Sequence, residues 1–434
     1  MLKIDIDAFY AKQADLDAQK YLVLTYYLET LIDPKEAAAH LCQEMSTAQW
    51  HRVGVDEDFR PEFGAKVIDI QVINDRAQPS SPFLADLIGK PYDKVYAVNA
   101  TICYPFGNFG TKIPNLLTAV CGEGAFHAPD ICAIRLLDIE FPESFLADFQ
   151  GPQFGVQGLR EMLEVYDRPL FFGVIKPNVG LTPEPFSEIA YEAWCGGLDI
   201  AKDDEQMGDV AWSPTYERTR LLGAKRKEAE EATGEKKIYL ANITDEVDRL
   251  LELHDMAVAN GANAVMVNGM TTGFSAVRML RKHASVPIVS HFDFMAAYTQ
   301  LPWFGVKDQV FTKIQRMAGY DALIYPGFDT RMKASAEDVL ANAQACLEPM
   351  GNLKPMLPVP AGSQWAGSLK PLYDTLGTID FGIVPGRAVF GHPQGPKGGA
   401  ASLRQGWEAV SKGVSLEEYA KDHEALRLAI AMHA

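Results

Sequence analysis

The sequence has few cysteines, no excess of positive charge and no long apolar run, and each absence argues against a class of protein. Its six cysteines include no Cys-x-x-Cys pair, which favours buried thiols over disulfides or a zinc site. The formal net charge of −17 disfavours nucleic acid or an anionic membrane surface as a partner. No apolar run reaches the length of a membrane span, and the acidic first residues predict no signal peptide. We therefore expect a cytoplasmic protein.

The length and the spacing of the patterns predict two domains. A chain of 434 residues exceeds the size at which one hydrophobic core usually stops growing. Strands and helices alternate irregularly up to residue 151, where a Gly-Pro pair interrupts the chain. This irregular order predicts an N-terminal α+β domain of ferredoxin-like type over 1–150. The strands are expected at 21–28, 65–73, 94–104 and 131–141, and the helices at 8–16, 34–44 and 114–120.

From residue 151 to 434 the pattern becomes regular and predicts a parallel sheet. Eight short apolar runs are expected to be strands, at 170–176, 198–202, 238–243, 264–268, 287–292, 322–326, 356–361 and 381–386. Helical stretches separate most of them, at 183–194, 218–233, 246–260, 275–283 and 336–346. Eight such units indicate a (β/α)8 TIM barrel. An open doubly wound sheet is the alternative, but no Gly-x-Gly-x-x-Gly follows the first strand.

Polar residues follow nearly every predicted barrel strand, where the chemistry of such barrels lies. The second strand runs into Lys-Asp-Asp-Glu, and strand alternation puts Lys202 and Asp204 on the same side, with Glu205 just beyond. Oxygen ligands of this kind suit Mg²⁺, whereas an isolated charged run is more commonly a solvated turn. The other polar or glycine strand ends are Lys176, Asn242, Asn268, His291, Asp293, Tyr325, Gly362, Gly386 and Arg387. For Asn242, helix capping is at least as good an interpretation.

Two of these strand ends carry longer motifs that resemble the ribulose-bisphosphate carboxylase large-chain superfamily. They are Gly173–Leu181 (GVIKPNVGL) and Gly196–Glu205 (GGLDIAKDDE), and the resemblance continues at Ser46–Trp50, Asn115–Gly122 and Phe390–Pro393. The resemblance covers nearly the whole chain. It implies that Lys202 is carbamylated by CO2 and binds Mg²⁺ together with Asp204 and Glu205.

The departures from the family pattern argue against carboxylation. Asn178 stands where the family has a second lysine, and Phe294 stands where an arginine binds the second phosphate. An arginine-to-phenylalanine change replaces a bidentate phosphate clamp by an apolar surface. Tyr325 stands where the family has a histidine. The sixth loop is short and leaves Arg331 and Lys333 as alternatives.

In the N-terminal domain Glu44 and Trp50 match the family, whereas Glu123 replaces an active-site asparagine. The whole pattern resembles the RuBisCO-like form IV group found in phototrophic sulfur bacteria. The family arrangement implies a homodimer in which Glu44, Trp50 and Glu123 reach the barrel of the partner subunit.

The remaining groups support proton abstraction next to a carbonyl of a small-molecule substrate, with or without one phosphate and linked to sulfur metabolism. The predicted catalytic residues are Lys176, Lys202, Glu123 and Asp293. The predicted substrate-binding residues are Glu44, Trp50, Asn178, His291, Arg331, Gly362, Gly386 and Arg387. For Arg387 a simple ion pair is the alternative. The competing hypotheses are a non-catalytic role in sulfur metabolism or oxidative stress, and a methionine-salvage enolase.

Overall fold

A computed structural model of the chain describes residues 4–49, 57–328 and 331–433 and divides into two compact units. The first unit contains the chain up to Phe149 together with Phe294–Ile314 and Pro349–Leu353. The second contains Gln150–Asp293, Gln315–Glu348 and the chain from Lys354 onwards. The predicted domains, 1–150 and 151–434, did not anticipate that the two later segments belong to the first unit.

The described residues form thirteen strands, numbered in chain order. They are β1 (Tyr21–Thr30), β2 (Lys66–Arg76), β3 (Val95–Pro105), β4 (Ile131–Glu140), β5 (Leu170–Val174), β6 (Ile200–Lys202), β7 (Ile238–Asn242), β8 (Ala264–Met266), β9 (Ile288–Ser290), β10 (Phe304–Val306), β11 (Ala322–Pro326), β12 (Leu357–Ala361) and β13 (Gly382–Ile383).

The helices are of two kinds. The longer ones span Pro34–Met45, Ile113–Cys121, Gly155–Leu163, Pro183–Cys195, Thr215–Thr233, Leu250–Ala259, Phe274–His283, Asp308–Ala318, Ala336–Leu347, Leu369–Leu376, Gly395–Lys412 and Glu424–His433. The shorter helical segments are Ile6–Phe9, Gln13–Asp15, Arg60–Phe63, Pro82–Ile88, Phe106–Asn108, Gly124–His127, Glu143–Leu146, Val247–Arg249, Gly269–Thr272, Ala296–Thr299, Ala366–Ser368, Arg387–Phe390 and Leu416–Tyr419. Among the helices described, none is long and apolar enough to cross a membrane.

The sheet of the first unit has the strand order β10-β4-β1-β3-β2. Strand β1 runs antiparallel to β3 and β4, and β2 runs antiparallel to β3. Helix Pro34–Met45 follows β1 and helix Ile113–Cys121 follows β3, so β1 to β4 have the ferredoxin-like order that was predicted. The three-residue strand β10 extends the sheet by pairing in parallel with β4. Its sequence carried no strand signal strong enough to predict this.

The predicted helix at 8–16 is wrong. The structure has two short 3-10 turns there, Ile6–Phe9 and Gln13–Asp15. Between them Tyr10 forms a parallel bridge with Val67, and the backbone N–H of Ala11 donates to the carbonyl of Val67 at 3.2 Å. Pairing with β2 requires an extended backbone, so tertiary contact overrides the helical propensity of this segment.

The second unit is the predicted (β/α)8 barrel. Its eight strands are all parallel in the order β12-β11-β9-β8-β7-β6-β5-β13, and a parallel bridge between Ala361 and Val384 joins the two ends. This closure excludes the open doubly wound sheet. Apolar strand residues such as Val174, Ile324 and Val359 are buried in one core cluster. Because parallel strands put all their carboxyl ends at one face, the polar residues after the strands meet there.

Candidate metal and active site

Two lysine–carboxylate pairs lie side by side at the carboxyl ends of β5 and β6. The ammonium of Lys176 donates to Asp204 Oδ2 at 2.8 Å, and that of Lys202 donates to Glu205 Oε2 at 2.8 Å. Lys202 and Asp204 are fully buried. The Lys-Asp-Asp-Glu run is therefore part of a buried cluster of charges, not the solvated turn that its composition alone would favour.

Asp203, between Lys202 and Asp204, has a structural role. Its carboxylate accepts from Arg218 Nε at 3.1 Å, from the Tyr239 hydroxyl at 3.0 Å and from the backbone N–H of Asn242 at 3.0 Å. Complete burial raises the pKa of Asp203, and the Arg218 guanidinium opposes that rise. These contacts fix the backbone from which Lys202 and Asp204 project.

Asn242, the last residue of β7, and Asn268, two residues after β8, support the loops around the cluster. The side-chain amide of Asn242 donates to the carbonyls of Asp204, Glu205 and Met207. Asn268 caps the short helix Gly269–Thr272 and also donates to the carbonyl of Asp293. Asn268 is a helix cap, while Asn242 anchors the segment that follows Lys202.

A cavity of about 570 Å³ opens at this face of the barrel. The predicted residues that line it are Lys176, Lys202, Glu205, His291, Arg331, Gly362, Gly386 and Arg387. Of the two alternatives in the sixth loop, Arg331 is therefore the one that lines the cavity. Gln364, Met332, Met432 and His433 line it as well. No sequence pattern marks these four residues, because none directly follows a barrel strand.

His291 connects the charge cluster to Asp293. Its Nε2 lies 3.3 Å from Glu205 Oε2, and its Nδ1 lies 3.5 Å from Asp293 Oδ1. One ligand atom from each of these three residues lies within 4.8 Å of the others. Burial would raise the pKa of Glu205, but the Lys202 ammonium and His291 lower it to about 2. Glu205 is therefore ionised near neutral pH.

The donor set fits Mg²⁺. Asp204 and Glu205 are carboxylates that each face a lysine ammonium, so the cluster already balances two negative charges with positive ones. Hard divalent cations prefer oxygen ligands of this kind. An ammonium is not a ligand, but a carbamate on Lys202 would add a further oxygen donor beside Glu205.

The depressed pKa of Glu205 predicts acid sensitivity of the metal-free protein. Its pKa is about 2 in the folded protein and 4.5 ordinarily, so it stabilises the fold above pH 4.5 and that stabilisation is lost as the pH falls towards 2. Urea unfolding in EDTA measures this effect. The contribution of Glu205 to the free energy of unfolding should be about 2 kcal/mol smaller at about pH 3 than at about pH 6. Glu205→Gln should lack this part of the loss. An identical pH dependence in both proteins would contradict the assignment.

The remaining predicted residues lie outside this cavity lining or outside the described chain. Asn178 is in the loop after β5 and is not among the described lining residues. Glu44 lies in helix Pro34–Met45 and Glu123 directly before helix Gly124–His127, both in the first unit. Trp50 lies outside the described residues, so its predicted role stays a prediction.

Tyr325 and Phe294 mark the departures from the family pattern. The Tyr325 hydroxyl donates to the carbonyl of Val339 in helix Ala336–Leu347, so the side chain points away from the cavity and Ile324 lines it instead. Tyr325, which stands where the family has a histidine, therefore does not contribute its side chain to the cavity. Phe294 has a left-handed φ of 72° and is 54% exposed. It offers no donor for a phosphate.

Comparisons with known proteins agree with this architecture. Residues 155–433 match the ribulose bisphosphate carboxylase large chain catalytic domain, and residues 10–145 match its N-terminal domain. A ribulose bisphosphate carboxylase-like protein of Allochromatium vinosum, a phototrophic sulfur bacterium, is 60% identical over 99% of this chain and 94% of its own. A 3-oxo-isoapionate-4-phosphate decarboxylase of Rhizobium etli is 30% identical over 94% of this chain and 98% of its own. The crystal structure of a rubisco-like protein from Burkholderia fungorum has a TM-score of 0.87 and 28% identity, covering 95% of this chain and 99% of that one.

Proposed function

This chain belongs to the ribulose bisphosphate carboxylase large-chain family as a RuBisCO-like protein, and from that premise we propose that it is an enzyme of the enolase, tautomerase or isomerase type. It removes a proton next to the carbonyl of a small compound, with or without one phosphate group, in sulfur metabolism. The observation that carries the proposal is the Lys176–Asp204 pair together with the Lys202–Glu205 pair, of which Lys176, Lys202 and Glu205 line one cavity. A named decarboxylase among the relatives supports an enzymatic role.

Carboxylation of a bisphosphate is not part of the proposal. The Asn178 side chain is a neutral amide and cannot replace the ammonium of a lysine. Phe294 cannot form the bidentate contact by which an arginine binds phosphate. The loss of these groups removes one phosphate site and one proton carrier while the Lys202–Glu205 cluster is retained.

Lys176 is the proposed proton carrier. It lines the cavity, where its amino group can exchange a proton with a bound molecule, and its ammonium donates to Asp204 at 2.8 Å. Lys176 would act as the base in its neutral amine form, and Mg²⁺ held by Asp204, Glu205 and a Lys202 carbamate would act as a Lewis acid on the carbonyl. Asp293, which His291 contacts, is the second candidate acid–base group. We expect Glu123 to contribute from the partner subunit of a homodimer.

Arg387 is the proposed phosphate-binding residue. It is exposed at the cavity beside Gly386, where a loop after the last barrel strand commonly binds an anion. Within the described part of the chain its guanidinium forms no ion pair. This favours a phosphate over the simple ion pair that the sequence left as an alternative. A single phosphate matches the loss of the arginine at Phe294.

Deuterium exchange tests the proposal directly. We expect the protein, with Mg²⁺ and bicarbonate in D2O, to incorporate deuterium into at least one member of a panel of ketose phosphates that includes methylthio-sugar phosphates. The exchange should be lost in Lys202→Met and kept in Lys370→Met, which alters an exposed lysine paired with Asp374. If no compound shows exchange that depends on Lys202, the proposal is wrong.

The non-catalytic role in sulfur metabolism or oxidative stress is the second candidate. The buried Lys202–Glu205 ion pair is the arrangement that a scaffold without catalysis would keep. Soaking crystals with Mg²⁺ and bicarbonate distinguishes the two, because an enzyme should gain a carbamate on Lys202 and a scaffold should not. A methionine-salvage enolase is a narrower form of the first proposal, and Glu123 and Asp293 argue against it as departures from that pattern.

A further inference from the structure

A second group of metal-ligand side chains lies on the outer helices of the barrel, away from the cavity. It consists of His254, Asp255 and His283. Asp255 Oδ1 lies 2.8 Å from His254 Nδ1 and 2.6 Å from His283 Nε2. The two imidazole rings meet edge to face at a centroid distance of 5.3 Å. One carboxylate oxygen thus lies between two imidazole nitrogens that come from neighbouring helices.

The group is separate from the active site in the topology of the barrel. His254 lies in helix Leu250–Ala259, and His283 is the last residue of helix Phe274–His283. The chain then enters β9 at Ile288 and reaches the cavity only at the other end of that strand, where His291 lies. The end of the helix that carries His283 therefore faces the amino ends of the strands, opposite the cavity.

We propose that His254, Asp255 and His283 form a binding site for a borderline divalent metal ion such as Zn²⁺, which links the two helices. Two nitrogen ligands and one carboxylate, with the fourth position open to water, are a ligand set that Zn²⁺ takes. Mg²⁺ and Ca²⁺ prefer oxygen ligands and should not bind here. One ligand atom from each residue lies within 4.8 Å of the others, a spacing that lets the three side chains reach one ion.

The side chains of the three residues differ in burial. His254 is 2% exposed, and its Nε2 is buried without a hydrogen-bond partner among the described residues. Within the described part of the chain, the polar contact of this ring is the one that its Nδ1 makes with Asp255. The side chains of Asp255 and His283 are 61% and 40% exposed, so an ion and its water can reach the group from solvent.

The charges around the group permit a cation. The nearby Arg281 is neutralised by Asp321, whose Oδ2 lies 2.9 Å from Arg281 Nη1. Asp255 supplies one negative charge, and the carboxyl end of helix Phe274–His283 favours positive charge. A metal needs the lone pairs of His254 Nδ1 and His283 Nε2, so a proton on either nitrogen would have to leave it. It would move to the other ring nitrogen of a neutral imidazole and would be released from an imidazolium.

Calorimetric titration of the purified protein with Zn²⁺ tests the site. We expect one zinc ion that Mg²⁺ does not displace, and a melting temperature that rises with zinc. His283→Ala should lower this affinity at least about 100-fold, since even outer-shell losses cost 10- to 100-fold. Asp255→Asn should act in the same direction. Because both altered side chains are exposed, circular dichroism should show unchanged folding.

Two further variants locate the zinc. His423→Ala removes a histidine that stacks on Tyr419 elsewhere and should leave zinc binding unchanged. Glu205→Gln removes a ligand from the other His–carboxylate group and should also keep the zinc that depends on His283. Equal zinc binding by wild type and His283→Ala, or no zinc binding by either, overturns the proposal and leaves the cluster a hydrogen-bonded triad.

Discussion

Lys176→Met should lower the rate of deuterium exchange by about 10²- to 10⁴-fold with any substrate that the wild-type protein exchanges, the range typical of removing a general acid–base group. The ammonium of Lys176 lines the cavity and donates to Asp204 at 2.8 Å. Methionine keeps a similar length and apolar stem but cannot carry a proton. The measurement is deuterium incorporation by mass spectrometry at saturating substrate.

The same variant should bind Mg²⁺ more tightly than the wild type. The Lys176 ammonium neutralises Asp204, a fully buried carboxylate, and so competes with a cation for it. Removing the ammonium leaves Asp204 without that partner. A loss of exchange together with a gain in Mg²⁺ affinity separates a proton carrier from a metal ligand, because loss of a ligand would weaken both. Lys333→Met is the matched control, since this exposed lysine is not among the described cavity-lining residues.

An unchanged exchange rate in Lys176→Met would assign the proton transfer to another group. Asp293 is then the next candidate, because His291 contacts it beside Glu205. Weaker Mg²⁺ binding would instead show that Lys176 supports the metal site and does not compete with it.

The barrel was predictable because its strands are buried on both faces. Strands β5 and β12 are continuous apolar runs in the sequence, β7 is one up to its last residue, Asn242, and each of the three is buried at every position. The polar, glycine or proline residues that end these runs mark the carboxyl ends of the strands, and this predicted which polar residues meet there. Lys176 and Lys202 were predicted in this way, and both line the cavity.

Contacts between distant segments could not be predicted by the same reasoning. Strand β10 has three residues and forms only because β4 offers an edge to pair with. Gln364 and His433 reach the cavity from a loop and from the last helix, and no local pattern marks them. The cluster of His254 and His283 was missed for the same reason, since its members come from two helices that only the fold brings together.

Asp203→Ala should lower the free energy of unfolding of the barrel by about 3–5 kcal/mol, the cost of breaking a buried ion pair by removing one partner. Asp203 and Arg218 are both completely buried, so the substitution leaves a guanidinium charge without its carboxylate. It also removes the acceptor of the Tyr239 hydroxyl and of the Asn242 backbone N–H.

Urea unfolding followed by circular dichroism measures the loss caused by Asp203→Ala. Asp374→Ala is the control, because it breaks an exposed ion pair with Lys370 and should cost no more than about 1 kcal/mol. A loss below about 1 kcal/mol in Asp203→Ala would contradict the structural role. Since Asp203 fixes the backbone between Lys202 and Asp204, Mg²⁺ affinity should fall in this variant even under conditions where it remains folded. The two measurements together thus test whether Asp203, by fixing the backbone of the Lys-Asp-Asp-Glu run, holds the other three residues in the positions that the proposed site needs.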